Sequence, residues 1–425
     1  MKKSLFYVAL GAMVLTSCAQ DEVLDTPKDG VQFRVVAENA GRGTVETTND
    51  IDDFIVKAFN VDDYDKNGSV FMNDMKVYRT KSGDTWSDWT YNSTKFWPNK
   101  GEVNFYSYSP ANLGEYATVS IGAVKQVEGN GTVNKGAQTI TYTVPTDAAS
   151  QIDILYALNT GMSKADKNVP VNFRHALSQV VFKAKCVKSD LKVDIQSIRI
   201  ANLKTTGTFA WPDVTTVSPN YSGQDAMNPT EIANQGWGEW TINETPLASY
   251  PVAMAADPNA EDTYNFLLTS DGTTETTLTD VANPLLLLPQ TLNPTTTAVA
   301  ADGLTKMTYG EGQQYFAIAC KIWSVEGDVE TLLWPATDTY AEVAIPVSSP
   351  TKNAREQKIW MQGRKYVYTF VFGEGAGYIG EGQDNEGDPV LVPVTFTVTV
   401  DQFQTATESI DMNTENNSVT GTVGE

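Results

Sequence analysis

Apolar residues alternate with polar ones along much of this chain, and a period of two is the pattern of strands that bury one face. Residues 31–37 show it near the N-terminus, where Val31, Phe33 and Val35 fall on one face. Residues 392–400 repeat it near the C-terminus. Two Asn-Gly pairs mark hairpin turns between such segments. The sequence therefore predicts a mainly β protein, with antiparallel strands in two sandwiches.

The clearest further strand signals lie at residues 53–61, 77–78 and 103–108. Residues 173–187 are ambiguous, because Phe173 and Leu177 have helical spacing whereas the residues from Val180 onward are β-branched or aromatic. We expect a strand there with a short helical entry. A boundary between the two sandwiches is expected near residues 190–205.

Charge and composition narrow the classes of function. The 425 residues include 52 acidic and 30 basic side chains, and the net charge of −22 repels nucleic-acid phosphates. His175 is the one histidine, which rules out a histidine-rich metal site and leaves one imidazole for nucleophilic catalysis. We expect His175 to be structural. The sequence predicts a binding or structural protein without a cofactor, a nucleic-acid partner or enzymatic activity.

The first eighteen residues have the pattern of an export signal. Lys2 and Lys3 precede an apolar segment at residues 5–15, which is too short for a membrane-spanning helix. This segment runs into Leu15-Thr16-Ser17-Cys18, which resembles the lipobox of bacterial lipoproteins. We expect Cys18 to carry lipid and to become the mature N-terminus; the alternative is an ordinary signal peptide.

Other notable residues have a structural and a functional interpretation. Cys186 and Cys320 are expected to be buried in strands, and a disulfide between them is the alternative in an oxidising compartment. Trp86, Trp89 and Trp97 are expected in a core, because a glycan-binding platform requires the three rings to be exposed together.

Residues 63–74 have the oxygen-ligand spacing of a calcium loop, with the candidate ligands Asp63, Asp65, Asn67 and Asp74. No helices are expected to flank this loop, and Asp74 stands where a calcium loop usually has a bidentate glutamate. Clusters of Asp, Asn and Gly are also common in hairpin turns. We expect a turn without metal, and calcium is the alternative.

Several separated segments carry a resemblance to a known family. They lie at residues 96–98, 103–110, 153–157, 173–179, 285–290, 360–368 and 394–403. In this order they resemble the fimbrillins, which build the type V pili of Gram-negative anaerobes. The family usually ends its last strand in tryptophan, whereas this chain has Phe403 there.

The resemblance implies two transthyretin-like, Greek-key β-sandwich domains in tandem. The implied segments are a lipoprotein signal peptide at 1–18, a propeptide strand and cleavage loop at 19–45, sandwiches at 46–195 and 196–412, and a polar tail at 413–425. The implied function is that of a pilus subunit that serves adhesion. Its implied partners are other pilus subunits, the outer membrane through the lipid anchor, and an arginine-specific protease. After cleavage by this protease the subunit is expected in an extracellular fimbrium.

The resemblance also implies cleavage between Arg42 and Gly43, within a loop of small and polar residues. The cut removes the strand that carries Val31, Phe33 and Val35 and leaves an apolar groove with an open edge. The alternation at residues 392–400 allows this segment to fill the groove of a neighbouring subunit, and its apolar face consists of Val394, Phe396, Val398 and Val400. If the segment pairs within its own sheet instead, Ile410 and Met412 become the donor candidates.

Two other functions are consistent with the sequence. The chain could be an anchor or tip subunit that stays uncleaved, or a surface lipoprotein that binds glycans and does not polymerise. A polymerising subunit loses its N-terminal segment and forms ladders that survive mild denaturant, whereas a glycan-binding lipoprotein stays monomeric with its lipid attached.

Overall fold

The computed structural model of the protein describes residues 30–35, 51–61, 69–83, 85–122, 125–126, 133–134, 138–166, 168–212, 238–256, 265–269, 274–348, 359–373, 377–390, 394–402 and 408–410. Nearly all of its regular structure is β. The two short helical segments are single 3₁₀ turns at Ala148–Ser150 and Lys164–Asp166. In the described ranges, no helix is long and apolar enough to cross a membrane.

The strands of the first half are β1 Gln32–Val35, β2 Asp53–Val61, β3 Ser69–Tyr78, β4 Lys81–Ser82, β5 Thr85–Trp86, β6 Thr90–Tyr91, β7 Glu102–Ser109, β8 Ala117–Ser120, β9 Lys125–Gln126, β10 Val133–Asn134, β11 Thr139–Thr143, β12 Leu155–Met162, β13 Asn168–Val171, β14 Arg174–His175, β15 Ser178–Cys186 and β16 Leu191–Lys204.

The strands of the second half are β17 Thr206–Ala210, β18 Glu239–Ile242, β19 Leu247–Pro251, β20 Leu267–Thr269, β21 Thr276–Thr277, β22 Leu285–Leu287, β23 Thr296–Val299, β24 Thr305–Thr308, β25 Tyr315–Glu326, β26 Val329–Trp334, β27 Ala341–Pro346, β28 Arg364–Phe372, β29 Tyr378–Ile379, β30 Val394–Gln402 and β31 Glu408–Ile410.

Two sheets form a sandwich from the N-terminal part of the chain. One has six strands in the order β14-β12-β7-β2-β3-β6, and the other has four in the order β18-β17-β11-β8. Aromatic rings meet between them: the ring centroids of Tyr156 in β12 and Phe209 in β17 are 4.4 Å apart. Large rings bury much apolar area per residue, so a few of them stabilise this interface strongly.

The six-stranded sheet is also buried on its opposite face, where β1 and β13 cover it as a two-stranded parallel sheet. This face forms a separate apolar cluster, named here the second core, with the buried members Val31, Phe33, Ile51, Phe54, Val56, Ala58, Met72, Val77, Trp97, Val103, Phe105, Leu155, Ala157, Met162, Val169, Val171 and Phe173. Burial on both faces explains why β2 contains consecutive apolar residues rather than a strict alternation.

The C-terminal part of the chain forms a second pair of sheets. The first runs β21-β15-β28-β30-β31 with β22 beside β15, and the second runs β19-β16-β25-β27-β29 with β20 and β26 at its sides. The ring of Phe316 in β25 lies 5.4 Å from Phe182 in β15 and 4.6 Å from Tyr368 in β28 between centroids. These rings form the centre of the C-terminal core.

The two sandwiches exchange strands near the expected boundary at residues 195 and 196, which falls inside β16. Before it, β15 pairs in parallel with β28 of the C-terminal part. After it, β17 pairs with β11 of the N-terminal part. A cut between residues 195 and 196 therefore separates strands from their partners on both sides, and it does not divide the chain into two complete sets of strands.

The structure confirms the mainly β class, and it places strands at all three of the clearest predicted segments. The helical entry at residue 173 is wrong. Phe173 is buried in the second core, whereas Leu177 is buried in the larger cluster on the other side. The segment consists of two strands, β14 and β15, with a break at residues 176–177. Residues four apart share one face in a helix and also in an unbroken strand, so the break is what lets Phe173 and Leu177 reach different cores.

Candidate functional site

The N-terminal alternating segment lies in a groove as strand β1. It runs parallel to β13, with Gln32 opposite Asn168 and Phe33 opposite Val169. Its other side is tied by a hydrogen bond of 2.8 Å from the Val31 N–H to the carbonyl oxygen of Lys95. Strand β1 therefore has main-chain contacts on both edges, although it comes from the far N-terminal part of the chain.

The side chains of β1 alternate as the sequence predicts. Val31 is 2% exposed and Phe33 is 7% exposed, whereas Gln32 and Arg34 face solvent. Val35 is partly buried against the same cluster. Burying a side chain of this size contributes about 1.5–3 kcal/mol, so Val31 and Phe33 account for most of the apolar gain of docking β1.

Phe33 occupies a pocket made of three aromatic rings. Its ring centroid lies 5.9 Å from Phe54 and from Phe105 and 5.7 Å from Tyr91, and all three contacts are edge-to-face. Edge-to-face pairs add about 0.5–1.5 kcal/mol each beyond the area they bury. The pocket is therefore shaped for an aromatic side chain.

Tyr91 joins this pocket to the main chain of β1. Its hydroxyl donates to the Val31 carbonyl oxygen at 2.7 Å and accepts from the Lys95 N–H at 3.3 Å. Burial raises the pKa of the Tyr91 hydroxyl, and the bond from Lys95 acts in the opposite direction. The hydroxyl keeps its proton at neutral pH and remains a donor to β1.

The three tryptophans of the sequence prediction lie near this groove in different environments. Trp97 is buried in the second core, with its centroid 5.9 Å from Phe105. Trp89 packs on Phe54 at 5.0 Å, and Trp86 is half-buried. The guanidinium of Arg79 lies 4.2 Å from the Trp86 ring and 4.6 Å from the Trp89 ring. The three rings are not exposed together on one surface.

The C-terminal alternating segment is strand β30, and it pairs within its own subunit. It runs antiparallel to β28 over nine residue pairs, from Arg364 opposite Gln402 to Phe372 opposite Val394. On its other side β31 pairs with it, with Ile410 opposite Val398. This pairing is the alternative that makes Ile410 and Met412 the donor candidates; Met412 lies outside the described residues.

Other predicted sites fall partly or wholly outside the part of the chain that the structure describes. Cys18, Arg42 and Gly43 lie outside the described residues. So do three of the four candidate calcium ligands, Asp63, Asp65 and Asn67. The fourth, Asp74, forms an ion pair with Lys57, in which Lys57 Nζ and Asp74 Oδ2 are 3.4 Å apart. No group of metal-binding side chains occurs among the described residues.

The single histidine and the two described cysteines have structural environments. His175 Nδ1 lies 3.0 Å from Asp153 Oδ1, and both side chains are largely buried. Cys186 and Cys320 are free thiols, buried in β15 and β25, so the alternative of a disulfide between them is wrong. Burial raises the pKa of both thiols, which keeps them protonated.

Sequence reasoning missed the residues that line the groove. Tyr91 lies 60 positions from Val31, and no local pattern marks it as the partner of β1. Strand β13 is four residues long and contains Pro170, which lowers the strand signal of the segment.

Comparison with known proteins identifies the family. The family model described as fimbrillin-like matches residues 34–402, from within β1 to the end of β30. The chain belongs to the fimbrillin-like family. No curated protein sequence matches it.

Several solved structures are similar to this fimbrillin-like chain at low sequence identity. A candidate cell adhesion protein from Bacteroides uniformis is 15% identical, with 89% of this chain and 99% of that chain covered and a TM-score of 0.40. A fimbrilin from Porphyromonas gingivalis is 11% identical, with coverages of 88% and 97% and a TM-score of 0.38. The tip fimbrial protein Mfa3 from the same organism is 8% identical, with coverages of 87% and 98% and a TM-score of 0.32.

Proposed function

We propose that this protein is a structural subunit of a surface pilus that serves adhesion, and that it polymerises when strand β1 is replaced by a strand from a neighbouring subunit. The observation that carries the proposal is the position of β1. It contributes Val31 and Phe33 to the second core and pairs with β13, and it comes from the N-terminal side of the proposed cleavage site. Membership of the fimbrillin-like family supports a role in fimbriae.

In this proposal Cys18 carries lipid and holds the precursor at the outer membrane. One acyl chain anchors a protein only marginally, so stable attachment requires at least two. An arginine-specific protease then cuts between Arg42 and Gly43. The cut ends the covalent connection between β1 and the rest of the fold, because β1 lies on the N-terminal side of Arg42. The cleaved subunit acts without a cofactor, has no catalytic role, and ends in an extracellular fimbrium.

Losing β1 makes the groove a site for another strand. It exposes the Phe33 pocket and leaves β13 with an unpaired edge, which is a template for strand addition. A donor strand that brings alternating apolar residues restores both the side-chain burial and the main-chain contacts. The apolar area exposed by the cut therefore provides the driving force for assembly.

The test is assembly of the precursor with and without a usable cleavage site. The wild-type chain treated with an arginine-directed protease should form fibres in negative-stain microscopy, and their N-terminal sequence should begin at Gly43. An Arg42→Ala chain should stay monomeric under the same treatment, whereas Arg34→Ala, the matched control on β1, should assemble normally. Fibres from the Arg42→Ala chain that begin at Cys18 would reject cleavage as the trigger.

A further inference from the structure

The four-stranded sheet β18-β17-β11-β8 has an outward face that consists mainly of hydroxyl side chains. Ile140, Tyr142 and Phe209 point inward to the larger core, so the residues that alternate with them point outward. The groove of β1 covers the opposite side of this sandwich. The outward face, named here the hydroxyl face, consists of Thr118, Ser120, Thr139, Thr141, Thr143, Thr206, Thr208 and Thr241, with Ala210 and Glu239 at one end.

The strand register aligns threonines across the hydroxyl face. Thr141 lies opposite Thr118 on one side and Thr208 on the other, and Thr208 lies opposite Thr241. The hydroxyl oxygens of Thr141 and Thr208 are 3.1 Å apart. A hydroxyl group both donates and accepts hydrogen bonds. A surface of aligned hydroxyls is therefore complementary to a second copy of itself.

The hydroxyl face is exposed and nearly free of charge. Its exposed members are Thr118, Ser120, Thr141, Thr143 and Thr241. Glu239 is the one charged residue among its outward positions in these four strands. By contrast, the outward face of β16, β25 and β27 in the C-terminal part carries Arg199, Lys321 and Glu342. Copies of a chain with a net charge of −22 repel one another, and the repulsion is weakest where two uncharged faces meet.

The size of the hydroxyl face limits the kind of contact that it can make. Four strands spaced by about 4.8 Å, with about 3.4 Å per residue over five residues, give a face of about 300 Å². A stable interface between two proteins buries about 800 Å² on each partner. Two free copies should therefore not form a stable dimer through this face. Two rows of linked copies can associate through it, because the contacts along the rows act together.

We propose that the hydroxyl face is a lateral contact surface, through which the copies in one fibre bind the same face of copies in a neighbouring fibre. The partner is a second copy of this chain, because the face is complementary to itself and because like-charged copies repel least there. The inference rests on the proposed function, since a fibre supplies the repeated copies. Bundling should increase with salt, because the Debye length falls from about 30 Å at 0.01 M to about 8 Å at 0.15 M.

Like charges placed on the hydroxyl face test the contact in fibres. Full chains with Thr141→Glu or with Thr141→Lys should both form fibres after cleavage. Both should bundle at least fivefold less than wild type in low-speed sedimentation and negative-stain microscopy, because equal charges then meet across the contact. Thr331→Glu, at an exposed position on β26, changes the net charge equally and should bundle as wild type does.

The two opposite charges at one position exclude a general effect of net charge. If Thr141→Glu weakens bundling and Thr141→Lys strengthens it, net charge decides and the inference is wrong. Thr118→Glu, on the outer strand β8, is a second variant that leaves the hydroxyl pair of Thr141 and Thr208 in place. Near-ultraviolet circular dichroism of each uncleaved chain shows whether it is folded. Normal bundling by folded Thr118→Glu and Thr141→Glu chains would refute the contact.

Display on beads separates this inference from the proposed function. Chains of residues 18–425 with biotin on Cys18, attached to streptavidin beads, present many uncleaved copies without polymerisation; Cys186 and Cys320 are buried and do not compete for the label. Wild-type beads should aggregate in 0.15 M salt. If the beads aggregate and the cleaved chain forms no fibres, the lateral contact stands and the pilus function fails. If fibres form but neither fibres nor beads associate, the lateral contact is refuted.

Mixed beads test whether the same face lies on both sides of the contact. Beads with Thr141→Glu and beads with Thr141→Lys should each fail to aggregate alone. Mixed together they should aggregate, because opposite charges then meet across two hydroxyl faces. If the mixture also fails to aggregate, the face binds a different surface of the second copy, and the inference of a contact between identical faces is overturned.

Discussion

Single side chains decide how firmly β1 is held, and Phe33 is the most important of them. The substitution Phe33→Ala removes a ring from a pocket of three aromatic residues and should lower the free energy of unfolding by about 3–5 kcal/mol. Urea unfolding of the uncleaved chain measures the change. Arg34→Ala, an exposed position on the same strand, should change it by less than about 0.5 kcal/mol.

The free energy of unfolding lost on Phe33→Ala cannot exceed the free energy with which β1 docks. A weakened β1 can leave the groove while the rest of the fold persists. Hydrogen exchange at β13 distinguishes local loss of β1 from unfolding of the whole protein. Faster exchange confined to β13 would indicate that only β1 has left. If Phe33→Ala and Arg34→Ala have equal stability and equal exchange, Phe33 does not anchor the strand.

At the scale of strands, the sequence was informative where one local pattern sets the structure. Strand β2 was predicted with the bounds that the structure has, because its long apolar segment is bordered by polar residues. The inward face of β1 was also readable from Val31 and Phe33 alone. The groove was not, since Tyr91 and β13 are distant in sequence and neither has a pattern that identifies a partner.

The exchange of strands between the sandwiches could not be predicted either, because the sequence of one strand does not identify the strand with which it pairs. It leads to a prediction about fragments. A polypeptide of residues 46–195 lacks β17, the partner of β11, and contains β15 without its partner β28. It should give no near-ultraviolet circular dichroism typical of packed aromatic rings. The fragment 196–412, which lacks β15, should behave in the same way.

Mixing the two fragments provides the control, because together they restore the missing strand pairs and should recover part of the native spectrum. A native-like spectrum from either fragment alone would show that a complete domain ends at residue 195.

At the scale of the whole molecule, we expect buried and partly buried tyrosines to make the free energy of unfolding fall at alkaline pH. Burial is the main cause that raises the pKa of Tyr142, Tyr315 and Tyr340 to about 12 each. A tyrosine in the unfolded chain titrates near about pH 10, so the folded state holds these protons more tightly. Their contribution to stability is complete below about pH 10 and is lost as the pH rises through about 12.

Unfolding by urea at a series of pH values between 8 and 12, followed by tryptophan fluorescence, should show this decline. The variant Tyr142→Phe keeps the ring and removes one ionisable hydroxyl, so its stability should fall less steeply over the same interval. A wild-type stability that is constant up to about pH 12 would contradict the assignment.

The proposed exchange places the groove and the donor strand in different parts of the subunit, and this has a consequence for growth of the fibre. In the proposed exchange each contact joins two unlike surfaces, which is a heterologous contact that does not close on itself. Such contacts build open filaments in which all subunits point the same way. One end of the fibre then always presents an empty groove and the other an unused donor strand. A subunit whose groove still holds β1 can attach through its donor strand, and growth then stops at that subunit.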